Sequence, residues 1–574
     1  MNPFYPIYTE QPECQDCYKC VRACPVKAIH IKEGKASVME ERCVLCGECV
    51  KVCPVGAKRV RNDIERVKRL LAQKKAVYVS LAPSFVSEFG EATPQQLIHA
   101  LKKLGFAGVS ETALGAQEVS AHIGSRLKNK SGELLISSAC PTVVQYIKKY
   151  APELSTHVTD LFSPVLAHCR LLRESFGQEI AVVFIGPCIS KKYESDQYRE
   201  LLNVAMTFST LRSWLDAEGI DLATLNTESS DRFVPDSAQE GALYPIDGGM
   251  IAGIKANCSV HEATFMSFSG LAHIKQLLKD LPTVRPDSNI FLELLACEGG
   301  CVNGPGTNSQ AGTAMKRYNL IDYTTYPEAE IPRAPHLDIH NEYVVDRITE
   351  PEYNQLEIQK ALASVGKYKP VHELNCGGCG YDSCREFAVA MLGGKAERGM
   401  CVSYMRNLAS KKANALLRSM PSGVVIVNDQ LKIVECNQNF SRLLGEETCL
   451  VYNANPGMEG ALLEKVLPFS GYFKTVLDTG EDIVNKNIKY NHVILNVSIF
   501  SIEMHQIVGA VIQDVTAPAI QKEQIIKHTR DVIDKNLKTV QKVAYLLGEN
   551  ASETEGILDS IIKSFSVERV EGDE

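Results

Sequence analysis

CQDCYKCVRACP (residues 14–25) and CVLCGECVKVCP (residues 43–54) are two copies of one run, CxxCxxCxxxCP. Three thiolates on a tight loop hold three corners of an iron–sulfur cubane, and the fourth cysteine of such a run reaches the neighbouring cluster. The pattern therefore assigns one [4Fe-4S] cluster to Cys14, Cys17, Cys20 and Cys53, and a second to Cys43, Cys46, Cys49 and Cys24. A pair of zinc knuckles would not need the repeated prolines Pro25 and Pro54. The apolar segment from Ala28 to Val38 between the runs reads as a β-hairpin. Shared ligation brings the two clusters close enough for fast electron transfer, so this end of the chain is expected to act as an electrical contact.

The rest of the chain is too large to be a simple electron carrier. Its 574 residues are 45% apolar, enough for three or four domains. No apolar stretch approaches 18 residues, and MNPFYPIYTEQPEC lacks the basic and apolar regions of a signal peptide, so the expectation is a cytoplasmic protein with reduced thiols. A net charge of -8 gives no general attraction for nucleic acid or an anionic membrane. The basic run KRVRNDIERVKRLLAQKK (58–75) reads as a solvated linker helix, because acids interrupt it and no aromatic platform accompanies it.

Beyond the linker, short β-branched runs alternate with helical periods. Ala76–Ser80, Leu134–Ser137, Ile180–Ile185 and Ile290–Leu295 read as buried strands, with helical spacing at Pro94–Leu104, Val143–Tyr150 and Leu271–Leu278. This is an α/β region with at least two parallel-sheet units over residues 76–365. Four cysteines fall just past predicted strand ends, where open sheets place their ligands: Cys140 in SSACPTVV, Cys188 in FIGPCISKKYE, and Cys297 and Cys301 in FLELLACEGGCVNGPG. A disulfide reading conflicts with the reducing compartment, and simple core packing does not account for the flanking glycines, prolines, Lys191 and Glu194. A further set, Cys376, Cys379, Cys384 and Cys401, lies in HELNCGGCGYDSCREFAVAMLGGKAERGMC. Its spacing of two, four and sixteen intervening residues is atypical of zinc modules and favours a third [4Fe-4S] cluster over zinc or a redox thiol array.

From about residue 1 to 405 the chain resembles an [FeFe]-hydrogenase. The signatures stand as Ala139-Cys140-Pro141, then Pro187-Cys188 with Lys191 and Glu194, then Glu293 with Cys297, Gly299, Gly300, Cys301 and Gly304. Pro83 and Ser84 after the first strand and Gly248-Gly249 before a helix agree with the same pattern. The resemblance implies an H-cluster, in which Cys140, Cys188, Cys297 and Cys301 hold a [4Fe-4S] cubane. Cys301 would also bridge to a two-iron subcluster carrying CO, cyanide and azadithiolate. Lys191 would place an ammonium beside one cyanide, Glu194 would orient Lys191, and Pro83 and Ser84 would set donors near the other. Dihydrogen and protons would be the substrates, with two electrons leaving through the cubanes to a ferredoxin-like or other redox partner. The departures matter too. The relay position that is ordinarily a cysteine is Ala139, whose methyl carries no proton, and Gly186 and Leu295 stand where thioethers usually surround the two-iron centre. Around Glu118–Arg126 no acidic relay is evident, and His122 is either a substitute or an ordinary helix-surface histidine. Slow turnover is therefore expected, tolerable in a sensor.

Residues 413–517 resemble a PAS domain, from SMPSGVVIVNDQLKIVECNQNFSRLLG to the final strand IVGAVIQDVT. A structural or dimerising role suits it better than a small-molecule or haem pocket, and Cys436 and Cys449 read as packing residues. The last segment carries helical apolar spacing broken at Gly548–Ser552, a hairpin that needs a twin, a partner protein or the preceding domain to cover its stripe. His528 there reads as a surface residue, since no ATP-binding domain follows it.

The fold class expected is multidomain α/β. Its parts are a two-cluster ferredoxin-like domain (1–60), a linker helix (61–75), an H-cluster domain (76–365), a [4Fe-4S] segment (366–411), a PAS-like domain (412–517) and a helical signalling or dimerisation segment (518–574). The function this implies is a sensory, low-turnover [FeFe]-hydrogenase working as a homodimer or through a downstream signalling protein. The alternatives are a catalytic ferredoxin-linked hydrogenase and an iron–sulfur redox regulator without hydrogenase activity.

Overall fold

The computed structural model of the chain describes residues 5–516, apart from 74–75, 130–131, 258–262, 284–286, 325–330, 332 and 491–492, together with 531–540. Cys258, His492, His528 and most of the expected C-terminal hairpin lie outside the described residues, and 531–540 are helical. The chain divides into two units, Met1–Met400 and Cys401–Glu574.

At the start of the first unit, the sequence repeat becomes a backbone repeat. Asp16 and Leu45, each two residues after the first cysteine of its run, take φ of 55° and 60°. Tyr18 and Gly47, each directly after the second cysteine, take 56° and 79° and precede the short helices Lys19–Ala23 and Glu48–Lys51. Between the runs, Ile29–Lys32 pairs antiparallel with Lys35–Val38, the hairpin expected from the sequence, and Ile7–Thr9 pairs with Lys58–Val60.

The basic linker is not a fully solvated helix. Its first residues finish a strand, the helix runs only from Ile64 to Ala72, and Lys58, Arg61, Asp63 and Val67 are buried. The reason is a charge cluster whose members are far apart in sequence. Lys192, fully buried, donates to Asp63 Oδ2 at 2.8 Å, while Arg61 and Arg66 bridge Asp63 to Asp196. This fastens the exit of the N-terminal module to the helix Ser190–Gln197, which also carries Lys191. The attraction of the arginines and Lys192 holds the Asp63 carboxyl below its ordinary range despite its burial. Asp63→Asn strips the counter-charge from a buried ammonium and is expected to cost about 3–5 kcal/mol, read as a lower denaturant midpoint.

The core contains two wholly parallel sheets. One has the order Gly108–Glu111, Val77–Leu81, Ala181–Gly186, Val204–Thr207, and the other Ala263–Ser269, Asn289–Leu295, Leu134–Ile136. Helices cover the sheets, so both faces of the strand Ala181–Gly186 are apolar, with Val182 and Phe184 buried on one side and Val183 and Ile185 on the other. The four β-branched runs seen in the sequence form strands. Gly108–Glu111, Val204–Thr207 and Ala263–Ser269 add three more to them.

The second unit begins with the helix Val402–Ser419 and continues into a five-stranded antiparallel sheet. Its order is Ile433–Cys436, Gly423–Asn428, Ile507–Asp514, Val493–Glu503, Ile483–Tyr490. Asn437 ties the helix end to the sheet. Its Oδ1 accepts from the Val424 and Phe440 amides, both at 2.9 Å, and its Nδ2 donates to the Leu417 and Ser422 carbonyls at 2.9 and 2.8 Å. Cys436 packs in the core with Phe440, Phe473 and Leu495.

Candidate iron–sulfur and active site

Each core cysteine sits beyond the carboxyl end of a parallel strand. Cys140 caps the helix Pro141–Tyr150 after the Leu134–Ile136 strand, Cys188 follows Ala181–Gly186, and Cys297 and Cys301 follow Asn289–Leu295. Residues 157 apart in sequence from Cys140 to Cys297 thereby face one another. Burial first, then Cys140, pushes the Cys188 thiol up to about 11. Burial followed by Cys188 and Cys140 raises Cys297, and burial followed by Cys297, Cys140 and Cys188 raises Cys301, with Lys191 opposing. Cys140 is buried and Cys188, Cys297 and Cys301 are half-buried, and such a group of thiols is a donor set that a polycationic iron–sulfur core would satisfy.

The turn holding Cys301 is tight. Gly300 has φ 96°, a Cβ there would lie 2.2 Å from the Pro245 carbonyl oxygen, and the Cys301 amide donates to that same oxygen at 2.6 Å. Only glycine fits at position 300, so this glycine serves the turn geometry.

Lys191 and Glu194 are one turn apart on their helix and form a buried pair, not a surface one. Lys191 Nζ donates to Glu194 Oε2 at 2.7 Å and to Ser163 Oγ at 2.8 Å, and each side chain is 9% exposed. An ammonium has three N–H groups, and the charge of Lys191 is felt by Cys188 and Cys301. Pro83 and Ser84 are buried at the end of the Val77–Leu81 strand, and Ser84 Oγ has no hydrogen-bond partner among the described residues. A buried hydroxyl without a partner is costly unless a ligand accepts from it.

Ala139 is half-buried, and its amide donates to Ser137 Oγ at 3.2 Å. At Gly186 a Cβ would strike the Phe184 ring at 2.3 Å, so an aromatic ring fills the space that a longer side chain would need, and Leu295 is buried. His122 is neither free nor purely on the surface. It is half-buried, bonded to the Leu337 carbonyl at 3.0 Å and to Glu118 at 3.2 Å, and the Glu118 contact raises its pKa. Glu118 also accepts from the His336 and Leu337 amides, and the His122 ring, these amides and the His336 ring together lower its carboxyl to about 2 despite its burial.

In the N-terminal module the cysteines group across the two runs. Cys20 is influenced by Cys17, Cys14 and Cys53, while Cys46 is influenced by Cys24, Cys49 and Cys43. Left-handed residues alternate along each loop, the backbone pattern from which anion-binding concavities are built. Among the described residues no three His, Cys, Asp or Glu side chains converge on a point fit for one metal ion. A cubane takes one thiolate per iron, so its ligands surround a cube and need no such convergence.

The second of these loops presses on the core. A Cβ on Gly47 would lie 2.4 Å from Pro305 Cβ and 3.0 Å from Ile189 Cδ1, the residues just beyond the Cys301 and Cys188 turns. Lys51 and Glu48 of that loop act on Cys297. On its other side the module meets the segment with Cys376, Cys379 and Cys384. Arg22 donates to the Cys17 carbonyl at 3.0 Å and the Gly378 carbonyl at 3.1 Å, and a Cβ on Gly380 would fall 2.7 Å from Val21. Cys384 donates its amide to Asn375 Oδ1 at 2.8 Å. Cys401 caps the helix opening the second unit.

A parallel α/β core with four thiols at its strand ends, wired to a two-cluster module, is the build of an iron–sulfur redox protein. Comparison with known families resolves its parts. Residues 75–305 match the model of the iron-only hydrogenase large subunit, C-terminal domain, 13–57 a 4Fe-4S dicluster domain, 373–403 an Fe-S cluster model and 412–481 a PAS domain. The chain thus joins iron–sulfur modules and an iron-hydrogenase-type domain to a PAS domain. It is 26% identical over 371 residues to iron hydrogenase 1 of Clostridium pasteurianum, covering 52% of this chain and 64% of that one. It is 27% identical over 305 residues to the periplasmic [Fe] hydrogenase large subunit of Nitratidesulfovibrio vulgaris, covering 44% and 72%. Among solved structures it aligns with [FeFe]-hydrogenase HydA1 of Chlamydomonas reinhardtii at 20% identity and a TM-score of 0.39, over 50% of this chain and all of that one. Among the described residues, no helix is long and apolar enough to cross a membrane.

Sequence reasoning missed Ser163, Ser137 and the Asp63–Lys192 clamp. Isolated serines and charges carry no periodic signal, and their partners are set only by the fold.

Proposed function

We propose that this chain is a sensory [FeFe]-hydrogenase that binds and slowly, reversibly oxidises dihydrogen at an H-cluster, passes electrons through [4Fe-4S] clusters and signals through its PAS domain. The observation that carries this reading is the placement of Cys140, Cys188, Cys297 and Cys301 just beyond the carboxyl ends of three parallel strands, with the buried Lys191–Glu194 pair on the helix that follows Cys188. When bound, the two-iron group supplies the splitting of dihydrogen into two protons and two electrons. Cys301 would bridge it to the cubane. Lys191, held by Glu194 and Ser163, keeps an N–H to offer an anionic ligand, and the Ser84 hydroxyl is a second donor.

The close approach of Gly47 to Pro305 and Ile189 supports a short electron route from the core to the Cys43, Cys46, Cys49 and Cys24 cluster, then to Cys14, Cys17, Cys20 and Cys53. Arg22 links that module to the segment of Cys376, Cys379 and Cys384. With Cys401 these would hold a third cluster, and Cys401 directly precedes the helix whose end Asn437 ties to the PAS sheet. A ferredoxin-like redox protein and a second copy or downstream signalling protein are the partners this reading requires.

Infrared spectroscopy of the anaerobically matured protein, with and without dihydrogen, tests it. Sharp CO and cyanide bands that shift under dihydrogen are expected, and their absence would reject the hydrogenase reading in favour of an iron–sulfur regulator. Removing residues 518–574 is expected to leave those bands and their shift unchanged while abolishing the response of a partner. A retained response would assign signalling to the PAS domain alone.

A further inference from the structure

The two halves of the N-terminal module differ at a buried position. CPVKAI (residues 24–29) and CPVGAK (residues 53–58) stand at equivalent places, with Lys27 and Gly56 both left-handed at φ of 49° and 65°. The first copy ends in Ile29, which opens the hairpin and is 1% exposed. The second ends in Lys58, which opens the closing strand and is 3% exposed. A place that burial reserves for an apolar side chain therefore carries an ammonium.

That ammonium lies at the centre of the module. Lys58 Nζ donates to Thr9 Oγ1 at 2.5 Å and to the Ala36 carbonyl at 3.2 Å, so the side chain crosses from the terminal strand pair to the hairpin. The strand of Lys58 packs on the helix Glu48–Lys51, which carries Cys49, and that helix packs on Lys19–Ala23, which carries Cys20. Cys20 and Cys49 are the third cysteines of their runs, and both are buried. Burial raises the Cys20 thiol, and Lys58 is the first group to oppose it. Burial and then Cys43 raise Cys49, where Lys58 opposes again and Cys20 adds to the rise. The two cysteine sets thus meet around one lysine.

Among the described residues no carboxylate is in ion-pair contact with Lys58, and its two bonds go to neutral oxygens. Lys191 and Lys192, also buried, are by contrast paired with Glu194 and Asp63. Burying an ammonium without a counter-charge is costly. A cubane held by four thiolates is an anion that becomes more negative on reduction, so a fixed positive charge beside it favours the reduced form.

We propose that Lys58 is the shared counter-charge of the two N-terminal cubanes, holding both at a level where dihydrogen can reduce them. The inference rests on the cluster assignments above, and its second half on the hydrogenase reading. Oxidation of one dihydrogen gives two protons, which pass to water, and two electrons, of which each cubane takes one. Because a single ammonium serves both cubanes, it moves their potentials in the same direction.

Potentiometric titration of the full-length, cluster-loaded protein, followed by the electron-paramagnetic signals of the two cubanes, tests this without dihydrogen. Lys58→Ile gives the second half the residue that the first half carries at the equivalent place. It should lower the reduced-to-oxidised ratio of both clusters at a fixed potential on the order of tenfold, equivalent to about 59 mV for each. Lys58→Arg should keep both midpoints near those of the parent. Under a fixed pressure of dihydrogen, Lys58→Ile should weaken both cubane signals and leave the CO and cyanide bands unmoved. Unmoved midpoints in Lys58→Ile, or only one that moves, overturn the proposal. An equal fall in Lys58→Arg also overturns it, since packing and not charge would then set the potentials. If Lys58→Ile does not assemble its clusters, Thr9→Asp decides. A carboxylate beside Nζ cancels the charge and should lower both midpoints, and midpoints unmoved there overturn the proposal. A parent protein with both cubane signals and no CO bands would defeat the hydrogenase reading, while the titration would still judge the counter-charge. A parent protein without two cubane signals would defeat the cluster assignment and the proposal with it.

Discussion

Cys301→Ala is expected to abolish the CO and cyanide infrared bands of the matured protein while leaving the electron-paramagnetic signals of the N-terminal cubanes in place. The loss should be complete, because a methyl can neither ligate iron nor bridge two iron groups. The selectivity follows from how the turn is held. Gly300, the bond from the Cys301 amide to Pro245 and buried Val302 fix the backbone without help from the thiol. The backbone bonds of the turn therefore persist in the variant, which is expected to fold. The N-terminal cysteines sit on loops shaped by their own left-handed residues and do not depend on Cys301. Retention of the CO bands would mean that the two-iron group is anchored elsewhere, and loss of every cluster signal would mean that the sets assemble as one.

The parts legible in the sequence were those with a repeat, a period or a ligand spacing. The doubled cysteine run announced a doubled loop, and β-branched runs such as IAVVFI marked strands buried on both faces. Shorter or weaker strands escaped. GVSE at 108–111 has one β-branched residue, and ATFMSFS at 263–269, only partly buried at the sheet edge, has Thr264 alone and mixes serines with its apolar residues. Charge was the least legible property. Lys192 and Asp63 look like ordinary surface residues, yet they meet across 129 positions as a buried pair. Lys191 and Glu194, three apart, could be read as a solvated helix pair until the fold enclosed them. Orphaned oxygens such as Ser84 Oγ and Glu293 Oε2 leave no trace in composition or spacing, since they are defined by partners that are missing.

Ala139→Cys should raise turnover with an artificial electron carrier on the order of 100-fold, equivalent to about 3 kcal/mol of barrier. Ala139 immediately precedes Cys140, and its backbone amide is bonded to the Ser137 hydroxyl, so a thiol there enters a held position without needing a new loop conformation. Its effect discriminates between two accounts of a slow enzyme. If the missing proton carrier limits the rate, the thiol adds a route and the CO and cyanide bands stay where they were. If Phe184 over Gly186 and the Leu295 contact limit access to the centre instead, turnover stays low.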